Sequence, residues 1–364
     1  MSTSQTVRTE RSLARALARQ YRRYAAGRTE VGLVMTERCP VGCRHCFSSS
    51  TMQGPDMPAL ETHLAWIDQV SRVERCKSIS ITGGEPFLYF QRLLQVVGGC
   101  RTHGLRANVF TSAYWATNDQ STARKLQQLA HAGLTGITVS ADEYHQESIP
   151  LANVARVLHA SKELGIIPEI SITRAPHSPS ADQLKRALRR QLGRKTLDGV
   201  HVEVGGIVEA GRACDLAFSR TRPAEQAKLV CNALGPTIEQ DGTVASCCRA
   251  PLPDSSPLVI GNLNAENFAS VYQRFLDHPV IPFIQTWGLL DMLERLIDEG
   301  LAAELVGYRK AREEQMCHLC QAILSQQAHI SFFVELFDDP EVRRQLGVLA
   351  FVLYGDPTLL KPPS

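Results

Sequence analysis

Three cysteines fall within eight residues in the stretch "TERCPVGCRHCF": Cys39, Cys43 and Cys46. Thiolates are soft ligands, suited to zinc and to iron–sulfur clusters. Three is one fewer than the four that usually close a cubane cluster. Such a set holds three irons of a 4Fe–4S cluster and leaves the fourth open to another molecule, which suits a substrate-activating cluster. The zinc alternative is a tetrahedral site of Cys39, Cys43, Cys46 and His45. His45 directly precedes Cys46, which makes it an awkward ligand for the same ion. An electron-transfer cluster with a remote fourth cysteine is the other alternative.

A second set lies downstream. Ten residues separate Cys231 from Gly242, four more separate Gly242 from Cys247, and Cys317 and Cys320 follow with two residues between them. A hairpin would bring Cys231 and Cys247 together, and the "CHLC" turn would add two thiolates. Four thiolates close a site, either as an iron–sulfur cluster or as a four-cysteine zinc site. Cys248 is adjacent to Cys247, and neighbouring cysteines rarely both bind one ion. Cys248 then reads as a small buried residue, with hydrogen-atom donation or an exchange of roles with Cys247 as alternatives. Cys76, Cys100 and Cys214 read as core or surface residues, Cys214 lying just after "GRA".

The elements that must position these residues follow a regular rhythm. "VGLVMT" (31–36) reads as a buried strand that delivers the chain into the cysteine loop. Strands "KSISIT" (77–82), "RANVFTS" (106–112), "GITVSAD" (136–142), "IIPEISIT" (166–173) and "GVHVEV" (199–204) follow. Helical segments lie between them, over about 59–73, 88–104, 121–133, 151–164 and 181–192. Six strands alternating with helices imply parallel pairing with crossover helices outside. Ligands then sit at the C-terminal strand ends, where the cysteine loop, "GGEP" (83–86) and "VSADEYH" (139–145) fall. Two glycines let the backbone approach a ligand closely, and a carboxylate accepts hydrogen bonds from an ammonium group. His145 reads as a solvated loop histidine, or as an acid or base touching substrate.

After about residue 213 the rhythm breaks. "TIEQDGTVASCC" (237–248) reads as a hairpin turning at Asp241-Gly242. "LVIGNL" (258–263) reads as a short strand, and about 265–354 as mainly helical, interrupted by "CHLC". The expected division is therefore 1–30, 31–213 and 214–364.

The motif C-x3-C-x2-C followed by an aromatic, after a first strand and ahead of "GGEP", resembles the radical S-adenosylmethionine (SAM) superfamily over about residues 31–213. The resemblance implies an α/β fold: a partial (β/α)6 barrel with an N-terminal helix and a C-terminal hairpin-plus-helices domain for an auxiliary cluster. It implies that Cys39, Cys43 and Cys46 bind a 4Fe–4S cluster whose fourth iron takes the amino and carboxylate groups of SAM. Gly83, Gly84 and Glu85 would contact the methionine amino group. Ser140 and Asp142 would bond ribose hydroxyls, and Arg212 of "IVEAGRA" would pair with the SAM carboxylate or with substrate. The pattern C-x10-G-x4-C, a gap, then C-x2-C resembles the twitch extension, a shorter relative of the SPASM extension. With no cysteine after Cys320, it implies one auxiliary 4Fe–4S cluster on Cys231, Cys247, Cys317 and Cys320.

The implied activity is that of a radical SAM oxidoreductase. Reductive cleavage of SAM gives a 5′-deoxyadenosyl radical, which abstracts hydrogen from a peptide or natural-product substrate in dehydrogenation, crosslinking or epimerisation. An external one-electron reductant such as flavodoxin or ferredoxin is implied. The alternative is a non-catalytic zinc or iron–sulfur protein with a structural or sensing role.

Composition agrees with a large globular chain. It has 364 residues, 44% of them hydrophobic and 21% charged, with a formal net charge of +2. Near-neutral charge gives no reason to expect nucleic acid as a partner. No apolar run suits a membrane span and no signal peptide is legible, so eleven cysteines point to metal ligation in a reducing cytoplasm rather than to disulfides. "RSLARALARQYRRYAAGR" places Leu13, Leu17, Tyr21 and Tyr24 on one helical face and reads as a helix packed on the main domain. One helix is too short for a leader-binding domain, so a peptide substrate is expected to need a separate carrier protein. A small molecule such as a sugar or aminocyclitol needs none.

Overall fold

A computed structural model describes residues 29–174, 181–216, 229–231, 235–248, 255–311 and 315–354. The N-terminal helix expected before residue 29 lies outside the described residues.

All six expected strands form: β1 (Thr29–Thr36), β2 (Cys76–Gly83), β3 (Arg106–Thr111), β4 (Leu134–Ser140), β5 (Ile167–Arg174) and β6 (His201–Gly206). They pair in parallel and in sequence order. Parallel neighbours need crossovers, which helices Leu60–Ser71, Phe90–Thr102, Asp119–Ala132, Leu151–Glu163 and Ala181–Leu192 supply. Local signals set the boundaries. Asn118 caps the third helix by accepting from Ser121 N at 2.9 Å, and Gly133 ends it at φ 110°. Pro86 opens a short 3₁₀ turn, Pro86–Tyr89, that carries the chain from β2 into helix Phe90–Thr102.

The strands carry apolar runs because helices cover them. Leu33, Met35, Ile79, Ile81, Val109, Ile137, Val139 and Ile170 form one buried cluster with Trp66, Ile67, Val96, Leu129 and Val157 from the helices.

The hairpin expected after residue 213 is present and does more than expected. β7 (Thr237–Ile238) and β8 (Thr243–Ala245) pair antiparallel, with Thr237 opposite Ala245, and Gly242 turns at φ 86°. β7 also pairs in parallel with β1, so the sheet runs on through β7, β8 and β9 (Val259–Asn262) to nine strands in the order β6-β5-β4-β3-β2-β1-β7-β8-β9. The sheet is open, with β6 and β9 at its edges. Ile238, Val244, Ile260, Phe268 and Val271 join the main core. A second core of Phe283, Ile284, Met292, Leu293, Leu319, Ile323 and Phe333 gathers the C-terminal helices.

"CHLC" does not interrupt the helical region. Cys317 and Cys320 lie inside helix Met316–Leu324. Residues three apart share one helix face, so a helix presents the two thiols together where a turn was expected.

Candidate active site

β1 ends at Thr36 and the chain turns at once into the cysteine loop. Cys39 N donates to Thr51 O at 3.1 Å and Cys46 N to Cys43 O at 3.2 Å, folding the loop on itself. The adjacent β2 exit holds it from below. Gly84 N donates to Thr36 O at 2.7 Å, and Glu85 N to Arg38 O at 3.0 Å. A Cβ on Gly83 would lie 2.0 Å from Thr36 O, and one on Gly84 would lie 2.2 Å from Arg38 O. The two glycines are therefore required by contact with the loop entry, apart from any contact with a ligand.

Glu85 is fully buried. Its carboxylate accepts from Thr111 Oγ1 at 2.9 Å, Ser112 N at 2.9 Å, Ser112 Oγ, and Phe87 N at 3.1 Å. Burial raises its pKa, and those hydrogen bonds oppose the rise. The side chain expected to face an ammonium group is thus turned inward, binding the "GGEP" turn to the end of β3. The polar strand end Thr111-Ser112 was the overlooked signal: such residues at a buried strand terminus need a partner.

Asp142 is similarly engaged. It caps helix Glu143–Gln146 through His145 N at 3.0 Å, and its oxygens lie 2.8 and 2.9 Å from His145 Nδ1. Burial alone would raise its pKa, but the hydrogen bond and charge of His145 prevail and lower it. For His145, burial acts downward and is outweighed by Asp142 and Cys43, so its pKa rises to about 10. His145 is therefore not a solvated loop histidine. Ser140, opposite Ser171 at the end of β4, stays partly exposed.

His45 is buried and stacks on Tyr144, ring centroids 4.7 Å apart. Burial pushes its pKa down to about 4. Arg44 pairs with Glu147, which ties the loop to the segment after β4.

Arg212 reaches the loop from the far side of the sheet. Its Nε donates to Cys43 O at 2.9 Å, one terminal nitrogen to Ser50 O at 2.9 Å, and its backbone N to Cys46 O at 3.0 Å. Gly211, at φ 55°, would place a Cβ 2.3 Å from Phe47 O. The "GRA" segment is a clamp on the cysteine loop. A second tie, not anticipated from sequence, is Gln240 in the β7–β8 turn. It accepts from Glu37 N at 2.7 Å and donates to Asp56 O at 2.8 Å.

The donor set fits a multi-iron cluster better than a single zinc ion. Tetrahedral zinc with thiolates at 2.3 Å brings its sulfurs to about 3.8 Å of one another. Among the described residues, the group of three donors that all lie within 4.8 Å is Cys43, His45 and His145, not the three cysteines. Cys39, Cys43 and Cys46 are partly exposed. Burial, together with Glu85, Cys43 and Cys46, pushes the Cys39 thiol up to about 11.

The second set also converges. Cys317 is pushed up to about 12 by burial and then by Cys231 and Cys247. Cys320 is raised well above the usual thiol range by burial and then by Cys231, Cys317 and Cys247. Cys231, Cys247 and Cys320 pack with the second core. Cys248 lies beside this set: its residue surface is exposed, while desolvation and then Cys247, Cys231 and Cys317 raise its thiol. Cys76 and Cys100 are buried in the main core, and Cys214 is exposed. His318, inside "CHLC", lies 3.5 Å from Glu209, three residues before the Arg212 clamp.

Residues 33–194 match the family model described as "Radical SAM superfamily". Over 309 residues, covering 83% of this chain and 94% of the relative, the sequence is 18% identical to YydG of Bacillus subtilis (strain 168). The name of that protein assigns it provisionally to peptide biosynthesis. The solved structure of anSMEcpe with bound AdoMet and the Cp18Cys peptide aligns over 87% of this chain and 99% of that one, at 14% identity and TM-score 0.48. BtrN in complex with AdoMet and 2-DOIA aligns over 72% and 89%, at 16% identity and TM-score 0.40. The matched family span contains the cysteine loop, the "GGEP" turn and strands β2 to β5. Residues 33–194 are a radical SAM domain, and on that domain the chain is a radical SAM enzyme.

Proposed function

We propose that this enzyme modifies a peptide by radical chemistry, using a SAM-binding 4Fe–4S cluster on Cys39, Cys43 and Cys46 and an auxiliary 4Fe–4S cluster on Cys231, Cys247, Cys317 and Cys320. The observation that carries the reading is the three-thiol loop, gripped between the β2 exit and Arg212 at the C-terminal edge of a parallel sheet. The peptide substrate rests on the kinship with YydG, whose name points to peptide biosynthesis. When bound, the cluster and SAM supply a 5′-deoxyadenosyl radical for hydrogen-atom abstraction.

The chain's own residues hold and orient. The segment Gly83-Gly84-Glu85 is assigned to the amino end of SAM. Because the Glu85 carboxylate is engaged with Thr111 and Ser112, the segment's backbone carbonyls are the acceptors left for that ammonium. Ser140 is assigned to the ribose, Asp142 acting one step behind it through His145. Arg212 holds the loop carbonyls, so its contribution to SAM binding is indirect. Residues 31–213 form the catalytic unit, and 214–364 carry the auxiliary cluster between the hairpin that extends the same sheet and helix Met316–Leu324. An external one-electron donor such as flavodoxin or ferredoxin is required, which fits a cytoplasmic enzyme. No helix among the described residues is long and apolar enough to cross a membrane.

The test is anaerobic reconstitution, followed by iron counting and a 5′-deoxyadenosine assay with dithionite. About eight irons per chain are expected from two cubanes. Zinc in both sites, or no SAM cleavage under any reductant, overturns the reading. Peptides from neighbouring biosynthetic genes, screened for deuterium transfer into deoxyadenosine, test the substrate class.

A further inference from the structure

We propose that the cluster-free chain holds one zinc ion between Cys43, His45 and His145, in a site that shares Cys43 with the cubane and therefore excludes it. One donor atom from each of the three residues lies within 4.8 Å of the other two. Tetrahedral zinc with one sulfur at about 2.3 Å and two nitrogens at about 2.0–2.1 Å needs its donors about 3.3–3.6 Å apart, so side-chain adjustments of about 1 Å close the site.

Three further features suit a metal. First, His145 is already oriented as a ligand. Its Nδ1 lies 2.8 and 2.9 Å from the Asp142 carboxylate, which turns Nε2 toward Cys43, where zinc would replace the proton the ring shares with that thiol. A carboxylate behind a ligating histidine is the usual supporting arrangement in zinc sites. Asp142 is itself held rigid by burial and by its cap on His145 N at 3.0 Å. Secondly, His45 has a buried Nδ1 with no hydrogen-bond partner. A buried polar atom without a partner is rare and calls for an explanation such as an ion. The Tyr144 stack fixes the plane of its ring. Thirdly, the charges balance: Cys43 as thiolate and Asp142 behind His145 bring two negative charges to a dication. Three protein donors leave a fourth position for water.

The site uses neither Cys39 nor Cys46. It explains how a loop built for a cluster stays folded before iron arrives, and it predicts competition: zinc must leave before Cys43 can take iron. The inference stands apart from the assignment of the substrate and the reaction.

The test uses the full-length chain carrying Cys39→Ser and Cys46→Ser, purified anaerobically. This chain lacks two cubane ligands but keeps all three zinc donors. It is titrated with Zn²⁺ against a chromogenic chelator, beside the same chain with Cys43→Ser, His145→Ala or Asp142→Asn added. Zinc taken by the downstream cysteines is common to all four proteins and cancels. One zinc equivalent is expected to disappear with Cys43→Ser and with His145→Ala, and to bind about 10- to 100-fold more weakly with Asp142→Asn. Cobalt(II) gives a second readout, a thiolate-to-metal band lost on Cys43→Ser, with circular dichroism checking that each variant is folded. Equal zinc content in folded double variant, Cys43→Ser and His145→Ala proteins overturns the proposal. SAM cleavage by the unaltered protein tests the catalytic reading alone, so either result can fail without the other.

Discussion

Arg212 Nε donates to the carbonyl of Cys43 at 2.9 Å, across 169 positions of sequence. The last parallel strand thereby closes back on the loop that the first one delivers. Two loop carbonyls, those of Cys43 and Ser50, depend on one guanidinium.

Arg212→Ala is accordingly expected to loosen the loop without removing a thiol. Acceptors left without a donor cost about 1–3 kcal/mol. Arg212→Lys is expected to recover only part of this, since an ammonium lacks the planar fork that serves two carbonyls. Faster iron loss to a chelator, with a lower melting temperature, is the measurement; retention equal to the parent would refute the clamp.

Gly84→Ala is expected to abolish SAM cleavage, because the new Cβ meets Arg38 O at 2.2 Å and backbone must move. Gly98→Ala provides the contrast. It lies in helix Phe90–Thr102 with nothing within 4 Å of an added Cβ, so about 0.5–1 kcal/mol of stabilisation is expected. Thermal melts and a deoxyadenosine assay on both variants separate the two outcomes.

Changing Cys317 and Cys320 together to alanine is expected to lower iron from about eight to about four per chain, while SAM still binds. Iron analysis with equilibrium SAM binding reads both halves. Loss of SAM binding along with the iron would mean that the second set supports the first site directly.

Gln240→Ala removes both ties between the β7–β8 turn and the loop, to Glu37 N and to Asp56 O. A loss of about 1–3 kcal/mol is expected, read by denaturant unfolding. Iron content of the first site should fall with it.

His278 gives a pH dependence. Its Nε2 donates to Pro257 O at 2.9 Å and its Nδ1 accepts from Val280 N at 3.2 Å, an arrangement for the neutral ring. Burial lowers its pKa from 6.5, opposed by the Pro257 bond. The unfolded chain then binds the proton first, so stability is full above about pH 6.5 and falls as pH drops below it. His278→Asn should flatten that part of the stability curve relative to the parent; identical slopes between pH 5 and 7 would exclude the effect.

The amino-acid sequence by itself determined the six parallel strands and the crossover helices, and it singled out both cysteine sets as candidate ligands. Apolar runs bounded by glycine and capping residues encode the strands and helices locally, and spacing alone marks Cys39, Cys43 and Cys46. Only the tertiary structure decided what the polar residues around the loop do. Glu85, Asp142 and Arg212 each face the strand ends in sequence, as ligand-binding residues would. In the fold each is engaged by protein partners, most of them far along the chain: Thr111 and Ser112 for Glu85, Thr173 together with the neighbouring His145 for Asp142, Cys43 and Ser50 for Arg212. Whether a carboxylate meets a ligand or a buried hydroxyl depends on which strand end lies beside it, and no local pattern carries that. The same holds for the hairpin. Its turn is legible at Asp241-Gly242, but its docking on β1 arises because the exposed edge of β1 needs a hydrogen-bonding partner. With that docking, Gln240 comes to the cysteine loop from two hundred residues away.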